Sequence, residues 1–169
     1  MKNMKKVLVL IENLFDDQEL IYPYHRLRED FEVVLVGTNK GESYASKSGF
    51  KMKSDMASDE INADDYDGIF IPGGFSPDYM RRTKATVDLV KAFVTAKKPV
   101  AAVCHGPWML VSANALLGRA VTSVISIKDD LINAGGNWVN KELVVSENIL
   151  TSRSPQDLPA LVKKFVSMI

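Results

Sequence analysis

The sequence predicts an α/β fold in which a mainly parallel, flavodoxin-like sheet lies between two layers of helices. Short apolar runs alternate with longer helical patterns along the whole length. The apolar runs are nearly continuous, as in strands that are buried on both faces. Strands that alternate with helices are joined by crossover connections, which produce a parallel sheet covered by helices. We therefore expect a three-layer α/β/α sandwich.

The first half of the chain supplies three strands and one helix. Residues 6–11 are the first apolar run, and residues 16–29 follow as a helix whose first turn carries acids that suit a helix N-terminus. Residues 32–36 are the second strand. Turn residues and an alternating pattern over residues 37–53 predict a hairpin outside the main sheet. Residues 68–72, GIFIP, are the third strand and end at a Gly-Gly turn.

The second half continues the alternation. Gly118 is expected to close one helix, while Ser154 is expected to cap the last one with Pro155 at its first position. The helices are predicted at residues 83–96, 106–117, 127–134 and 155–168, and the strands at 99–103, 120–123, 142–147 and 148–151.

Length and composition favour one domain over residues 1–169. The chain has 169 residues, close to the domain size of about 150. Its hydrophobic fraction of 46% and charged fraction of 25% are those of a globular protein, which excludes a disordered chain. Basic and acidic residues number 21 each, so the net charge is zero. This balance argues against nucleic-acid binding, which needs a basic surface.

No targeting or membrane segment is predicted. The apolar run at residues 7–11 is too short for a signal peptide. The uncharged stretch at residues 99–118 is interrupted by Gly106 and Pro107, which makes it a poor membrane span. We expect a cytoplasmic protein whose single thiol stays reduced.

The single cysteine lies where α/β folds place their sites. Sites in open parallel sheets lie beyond the carboxyl ends of the strands. Cys104 follows the predicted strand at residues 99–103, and His105, Gly106 and Pro107 come next. A buried strand, a reactive residue and a tight helix start are typical of a nucleophile elbow. The positive end of the following helix would favour the thiolate. A small buried core cysteine is the alternative.

Gly73 and Gly74 end a neighbouring strand and predict an oxyanion hole. Without side chains, they leave backbone N–H groups open to a substrate oxygen. An ordinary tight turn is the alternative. No histidine follows His105, so the base must be His105 or His25, and His25 is interpreted as a surface or packing residue. Glu19, near the start of the first helix, is the acid expected to approach the thiol, most reasonably when protonated.

Cys104, His25 and His105 are the only cysteine and histidines, and they argue against a structural zinc site, which usually needs four such ligands. Asp129 and Asp130 are interpreted as a solvated or packing helix face. We expect neither a metal nor a cofactor.

Six motifs in order resemble the PfpI family, the group of intracellular proteases and protein deglycases. They extend over most of the chain: DDQELIYP (16–23), DGIFIPGG (67–74), SPDY (76–79), AVCHGP (102–107), IKDDLINAG (127–135) and TSRSPQDLP (151–159). The SPDY form and the TSRSPQDLP segment are similar to the bacterial stress-protein and deglycase branch.

The resemblance implies Cys104 as nucleophile, His105 as its partner and Glu19 as the acid that contacts the sulfur. It implies an oxyanion pocket near Gly73, Gly74 and His105. Gly106 is predicted with Gly73 and Gly74 to be an oxyanion or substrate-binding residue. In peptidase members, a Glu from a neighbouring subunit orients the histidine. That position is Asp78 here, a shorter acid that departs from the peptidase pattern. The family assembles as dimers that often build into hexamers, so the resemblance implies a homo-oligomer.

Three functions follow from these residues. The first is a cofactor-independent cysteine enzyme that acts on reactive dicarbonyls or early glycation adducts, as a glyoxalase or deglycase. The second is a cysteine peptidase that uses Cys104 and His105 with an acid from a neighbouring subunit. The third is a redox sensor whose thiol is oxidised without turnover.

Overall fold

A seven-stranded sheet forms the centre of the protein in a computed structural model that describes residues 4–169. Its strand order is β10-β11-β7-β6-β1-β2-β5, and every neighbouring pair is parallel except β10 and β11. Strands β3 and β4 form the predicted hairpin outside this sheet, and β8 pairs with β9. The strands are β1 Lys6–Leu10, β2 Glu32–Gly37, β3 Ser43–Ala45, β4 Lys51–Lys53, β5 Met56–Ala57, β6 Gly68–Ile71, β7 Val100–Val103, β8 Ala120–Val121, β9 Asn137–Trp138, β10 Val144–Ser146 and β11 Ile149–Ser152.

Strands β2, β1, β6, β7 and β11 lie in the flavodoxin-like order 2-1-3-4-5, which confirms the predicted fold class. Within residues 4–169, six α-helices cover the sheet: α1 Asp17–Leu27, α2 Ser76–Met80, α3 Lys84–Thr95, α4 Trp108–Ser112, α5 Lys128–Asn133 and α6 Leu158–Met168. Successive strand residues point to opposite faces of a sheet, so one strand contributes to two cores. Val7 and Val9 of β1 pack with α1 and α6, whereas Leu8 and Leu10 pack with α3, α4 and α5. The sheet therefore lies between two helical layers.

Three predicted elements differ from the structure. The helix expected over residues 106–117 is only α4, because the chain leaves the helix after Ser112 and Asn114 adopts φ +54°. The strand expected over 120–123 shrinks to β8 and pairs with β9 rather than with the main sheet. Ser154 makes no side-chain capping hydrogen bond, since a 3-10 turn, Pro155–Asp157, precedes α6.

Three elements were not predicted, and one of them is β9, which pairs with β8 outside the main sheet. Strand β5 has two residues and pairs with the end of β2 at the edge of the sheet. Helix α2 has five residues, and it begins directly after the Gly-Gly turn that follows β6. None of the helices between residues 4 and 169 combines the length and hydropathy needed to cross a bilayer.

Candidate active site

Cys104 is the first residue after strand β7 and has a strained backbone. Its φ is +61°, a left-handed conformation that is unfavourable for a residue with a side chain. Two hydrogen bonds hold it there. The Cys104 N–H donates to the Ser152 carbonyl at 3.0 Å, and the Cys104 carbonyl accepts from the Val124 N–H at 3.1 Å. The geometry agrees with the nucleophile elbow that the sequence predicts.

Two glycines allow the chain segments around Cys104 to approach closely. A Cβ at Gly106 would lie 2.7 Å from the Ile71 carbonyl oxygen and 2.8 Å from that of Val103, both of them backbone atoms. At Gly74, φ is +70°, and a Cβ would lie 2.4 Å from the Asp16 backbone nitrogen. No side chain fits either position without moving a backbone. The site is therefore built at the joined carboxyl ends of β1, β6 and β7.

Glu19 on helix α1 lies fully buried beside the thiol. Its Oε2 accepts a hydrogen bond from the Gly73 N–H at 2.8 Å, whereas Oε1 is buried with no hydrogen-bond partner among residues 4–169. Asp16 begins the helix and places Glu19, because its Oδ1 accepts from the N–H groups of Gln18 and Glu19 at 3.0 and 3.3 Å. An unpartnered carboxyl oxygen in this position is suited to carry a proton.

Glu19 and Cys104 both become negative when they ionise, so ionisation of either group disfavours ionisation of the other. Burial raises the pKa of the Glu19 carboxyl to about 8, and Asp16 adds to that rise. Burial raises the pKa of the Cys104 thiol to about 12, and the Glu19 carboxylate adds to it. Glu19 is therefore protonated at neutral pH, and protonation removes its repulsion of a thiolate.

The expectation that helix α4 stabilises the thiolate needs correction. The helix has only five residues and begins at Trp108, four positions after Cys104. Burial, and after it the Glu19 carboxylate, raises the pKa of the Cys104 thiol, so the thiolate that the sequence predicts is not favoured in this structure.

His105 contacts the thiol through one ring nitrogen and a serine through the other. Nδ1 lies 3.5 Å from Cys104 Sγ, and Nε2 lies 3.4 Å from the Ser126 hydroxyl. Burial lowers the pKa of His105, and the nearby Lys47 lowers it further. The imidazole is therefore neutral at pH 7. In the tautomer whose Nε2 donates to Ser126, Nδ1 is free to accept the thiol proton.

Two of the backbone N–H groups around the sulfur already donate hydrogen bonds within the protein. The Gly73 N–H is already engaged by Glu19, and the Gly106 N–H donates to the Val103 carbonyl at 2.7 Å. In this structure neither N–H is free to bind an oxyanion, since the Gly73 N–H positions Glu19 and the Gly106 N–H closes the elbow turn. Within residues 4–169, no hydrogen bond takes up the Gly74 N–H.

Asp78 does not reach His105 within this chain. It lies on α2, and its Oδ2 accepts a hydrogen bond from Arg82 Nη2 at 2.7 Å. No hydrogen bond or ion pair joins it to His105 in the part of the chain that the structure describes. His25 lies exposed on α1, where its Nδ1 is 3.3 Å from Arg28 Nη1. Neither residue therefore belongs to the assembled cluster.

Trp108 packs against the ring of His105. The two ring centroids are 5.0 Å apart, and the Arg81 guanidinium lies 5.5 Å from the indole centroid. The indole N–H donates to Asp130 Oδ2 at 2.9 Å, which gives that acid a packing role. A cleft of about 350 Å³ beside the indole is lined by Arg81, Trp108 and Asp130 but not by Cys104 or His105.

Two residues near the site, Ser126 and Lys47, are not predicted by any sequence signal. Ser126 comes from a 3-10 turn with no distinctive pattern, and Lys47 comes from the hairpin connection. Among residues 4–169, no group of three or more His, Cys, Asp or Glu side chains is arranged to hold a metal ion.

Comparisons with known proteins identify similar sequences over nearly the whole chain. The sequence model of the DJ-1/PfpI family matches residues 5–168. The chain is 43% identical over 164 residues to the Pyrococcus furiosus protein named Deglycase PfpI, covering 97% of this chain and 99% of that one. It is 39% identical over 168 residues to General stress protein 18 of Bacillus subtilis, covering 98% of each chain.

A solved structure extends the similarity to the fold. A two-domain protein from Anabaena variabilis, with DJ-1/ThiJ/PfpI-like and ferritin-like domains, superposes with a TM-score of 0.95 at 40% identity. The match covers 96% of this chain and 47% of that one.

Proposed function

Because this chain belongs to the DJ-1/PfpI family, we propose that it is a cofactor-independent cysteine enzyme for reactive dicarbonyls or early glycation adducts. The Cys104 thiol is its nucleophile. The observation that carries the proposal is the strained Cys104 between a buried, unpartnered Glu19 oxygen and the Nδ1 of a neutral His105. The deglycase name of the Pyrococcus relative supports the same class of substrate.

The reaction begins with the thiol proton. His105 Nδ1 accepts it, and the sulfur attacks the aldehyde carbon of a dicarbonyl such as methylglyoxal to form a hemithioacetal. The N–H groups of Gly74 and His105 are the donors proposed for the developing oxyanion. In an early glycation adduct, the sulfur attacks the aminocarbinol carbon and the amine leaves.

The hemithioacetal is converted to the product by an internal rearrangement, so no external oxidant is needed. The hydrogen on the hemithioacetal carbon moves to the neighbouring carbonyl carbon, which converts the hemithioacetal into a 2-hydroxy thioester. Water then hydrolyses the thioester and regenerates the thiol. The net reaction adds one water to methylglyoxal and gives lactate. His105 and protonated Glu19 are the proposed proton carriers, because both lie beside the sulfur.

Peptide hydrolysis is the second candidate, and it needs a second subunit. Its proposed triad has Asp78 from a neighbouring chain orient His105. Two exposed apolar side chains near these residues favour such contact: Phe75, 44% exposed, precedes α2, and Ile125, 66% exposed, precedes Ser126. Asp78→Asn and Cys104→Ala should each abolish this activity. Oligomers that contain both variants should recover part of the peptidase activity, because each can pair Cys104 of one subunit with Asp78 of the other. No recovery would contradict a site shared between subunits.

Methylglyoxal turnover tests the leading proposal. Proton NMR of methylglyoxal with catalytic protein should show lactate from the wild type and none from a folded Cys104→Ala variant. Lactate from both proteins would exclude Cys104 as nucleophile. No lactate from reduced wild type would remove the proposal, and peptide hydrolysis or peroxide oxidation of the thiol would then be measured. The expected cytoplasmic location is part of the proposal.

A further inference from the structure

Lys47 is held beside the thiol site by a turn that is fixed to helix α1. Its backbone N–H donates to the Phe15 carbonyl at 2.9 Å. The serines on either side, Ser46 and Ser48, both donate their hydroxyl hydrogens to Asp17 Oδ1, at 2.6 and 2.5 Å. These contacts give a residue of the hairpin connection a defined position.

The same segment touches the loop that carries the site's glycines. Phe15 bridges Ser46 on one side and Gly74 on the other, and the Asp16 N–H lies 3.4 Å from the Gly73 carbonyl oxygen. The Lys47 ammonium lies 3.2 Å from Asp16 Oδ2, directly at the start of the helix that carries Glu19. Lys47 is also coupled electrostatically to three groups of the site. It opposes the rise that burial causes in the pKa of Glu19, and it adds to the fall that burial causes in the pKa of His105. The pKa of Lys47 is itself raised, chiefly by the hydrogen bond to Asp16 and to a lesser extent by Cys104.

The ammonium of Lys47 retains unused hydrogen-bonding capacity. It has three N–H donors, and Asp16 is its only acceptor among residues 4–169. The side chain is 55% exposed, so a ligand can reach it. Glu19 beside it is neutral at pH 7, because its pKa is raised to about 8. The cation is thus available to an anion or to a polarised oxygen that enters the site.

We propose that Lys47 is the oxygen-recognition residue of the thiol site. It binds the second carbonyl oxygen of a 2-oxoaldehyde while Cys104 attacks the aldehyde, and it holds the carboxylate of the 2-hydroxy acid product. This inference rests on the proposed function, and it gives the site a preference for substrates with an oxygen on the carbon next to the one attacked. A simple aldehyde lacks that oxygen and loses the contact.

Alkylation of Cys104 tests the assignment without using turnover. Iodoacetate is an anion and iodoacetamide is neutral, yet both alkylate the same thiol. The ratio of their rate constants therefore reports attraction of negative charge and cancels any change in thiol reactivity or in the position of α1. The rates are followed at pH 7 by intact-protein mass spectrometry.

Lys47→Met should lower the iodoacetate-to-iodoacetamide ratio by about threefold to tenfold, the effect of one partly exposed charge. Lys47→Arg should keep the ratio near that of the wild type. Lys51→Met is the matched control, because it removes the same charge from an exposed position on the same hairpin.

The outcomes are distinguishable from those of the proposed function. An unchanged ratio in Lys47→Met, or an equal fall in Lys51→Met, overturns the assignment whatever the protein does with methylglyoxal. The assignment stands if the ratio falls only in Lys47→Met and if that variant also has a higher KM for methylglyoxal but an unchanged KM for a simple aldehyde. Absence of lactate from the wild type is instead a failure of the proposed function.

Discussion

Glu19 should make the stability of this protein fall as pH rises from 5 to 8. The folded state raises the pKa of Glu19 from 4.5 to about 8, because the carboxyl is buried with one oxygen unpartnered. Its contribution to stability is fully present below pH 4.5 and is lost as pH rises through 8, since the folded state favours the protonated acid. Each pKa unit corresponds to about 1.4 kcal/mol, so complete ionisation costs about 5 kcal/mol.

The perturbation that isolates this effect is Glu19→Gln. The amide keeps an oxygen that can accept the Gly73 N–H, and it resembles the protonated acid in shape. Between pH 5 and 8, the wild type should lose about 3 to 4 kcal/mol of unfolding free energy relative to Glu19→Gln. Other titrating groups, His105 among them, affect both proteins nearly equally.

The measurement is urea unfolding of both proteins at pH 5, 6, 7 and 8, at one protein concentration and under reducing conditions. Glu19→Gln should be the more stable protein at pH 8, and the difference should shrink steadily towards pH 5. Parallel pH dependences in the two proteins would refute the raised pKa of Glu19. The proton that we assign to the catalytic site at neutral pH would then be absent.

Three further changes test the geometry of the site. Gly106→Ala should lower the unfolding free energy measured by urea titration by about 3 kcal/mol, because the added Cβ would clash with the Ile71 backbone oxygen. A loss of less than about 0.5 kcal/mol would contradict this close packing. Cys104→Gly should be more stable than Cys104→Ala by about 1 kcal/mol, because only glycine adopts φ +61° without strain; equal thermal midpoints would count against a strained elbow. Trp108→Phe should cost about 1 kcal/mol through loss of the hydrogen bond to Asp130, and Asp130→Asn, which keeps an acceptor oxygen, should cost less in the same assay.

The central sheet could be predicted from the sequence because its signals are local. Apolar runs such as the one in β1 and glycine turns such as Gly73–Gly74 mark where strands end, and the order of strands and helices then selects the topology. The same local signals place Cys104 and Gly74 at one edge of the sheet. The helix after Cys104 is shorter than its apolar pattern predicts, because Ala115 and Leu116 are buried although they lie outside the helix.

The hydrogen bonds of the site could not be predicted, because they join residues that are distant in the chain. The Gly73 N–H was expected to face substrate, but Glu19 engages it across 54 positions of sequence. Ser126 reaches His105 from a 3-10 turn, and Lys47 reaches Asp16 from the hairpin connection. Each contact depends on how loops pack against one another at the edge of the sheet. Neither hydrophobic periodicity nor turn residues in the sequence predict that packing.

Glu19 and Gly73 together explain why this thiol needs a buried acid rather than a second base. A permanent carboxylate beside Cys104 would oppose every step that places negative charge on sulfur. The Gly73 N–H holds one oxygen of Glu19, and burial of the other keeps the proton on the carboxyl at neutral pH. In the proposed mechanism, His105 then withdraws the thiol proton without leaving two adjacent anions. The proposed contribution of the acid is to remain neutral until its proton is needed, and the depth at which α1 places Glu19 favours the neutral form.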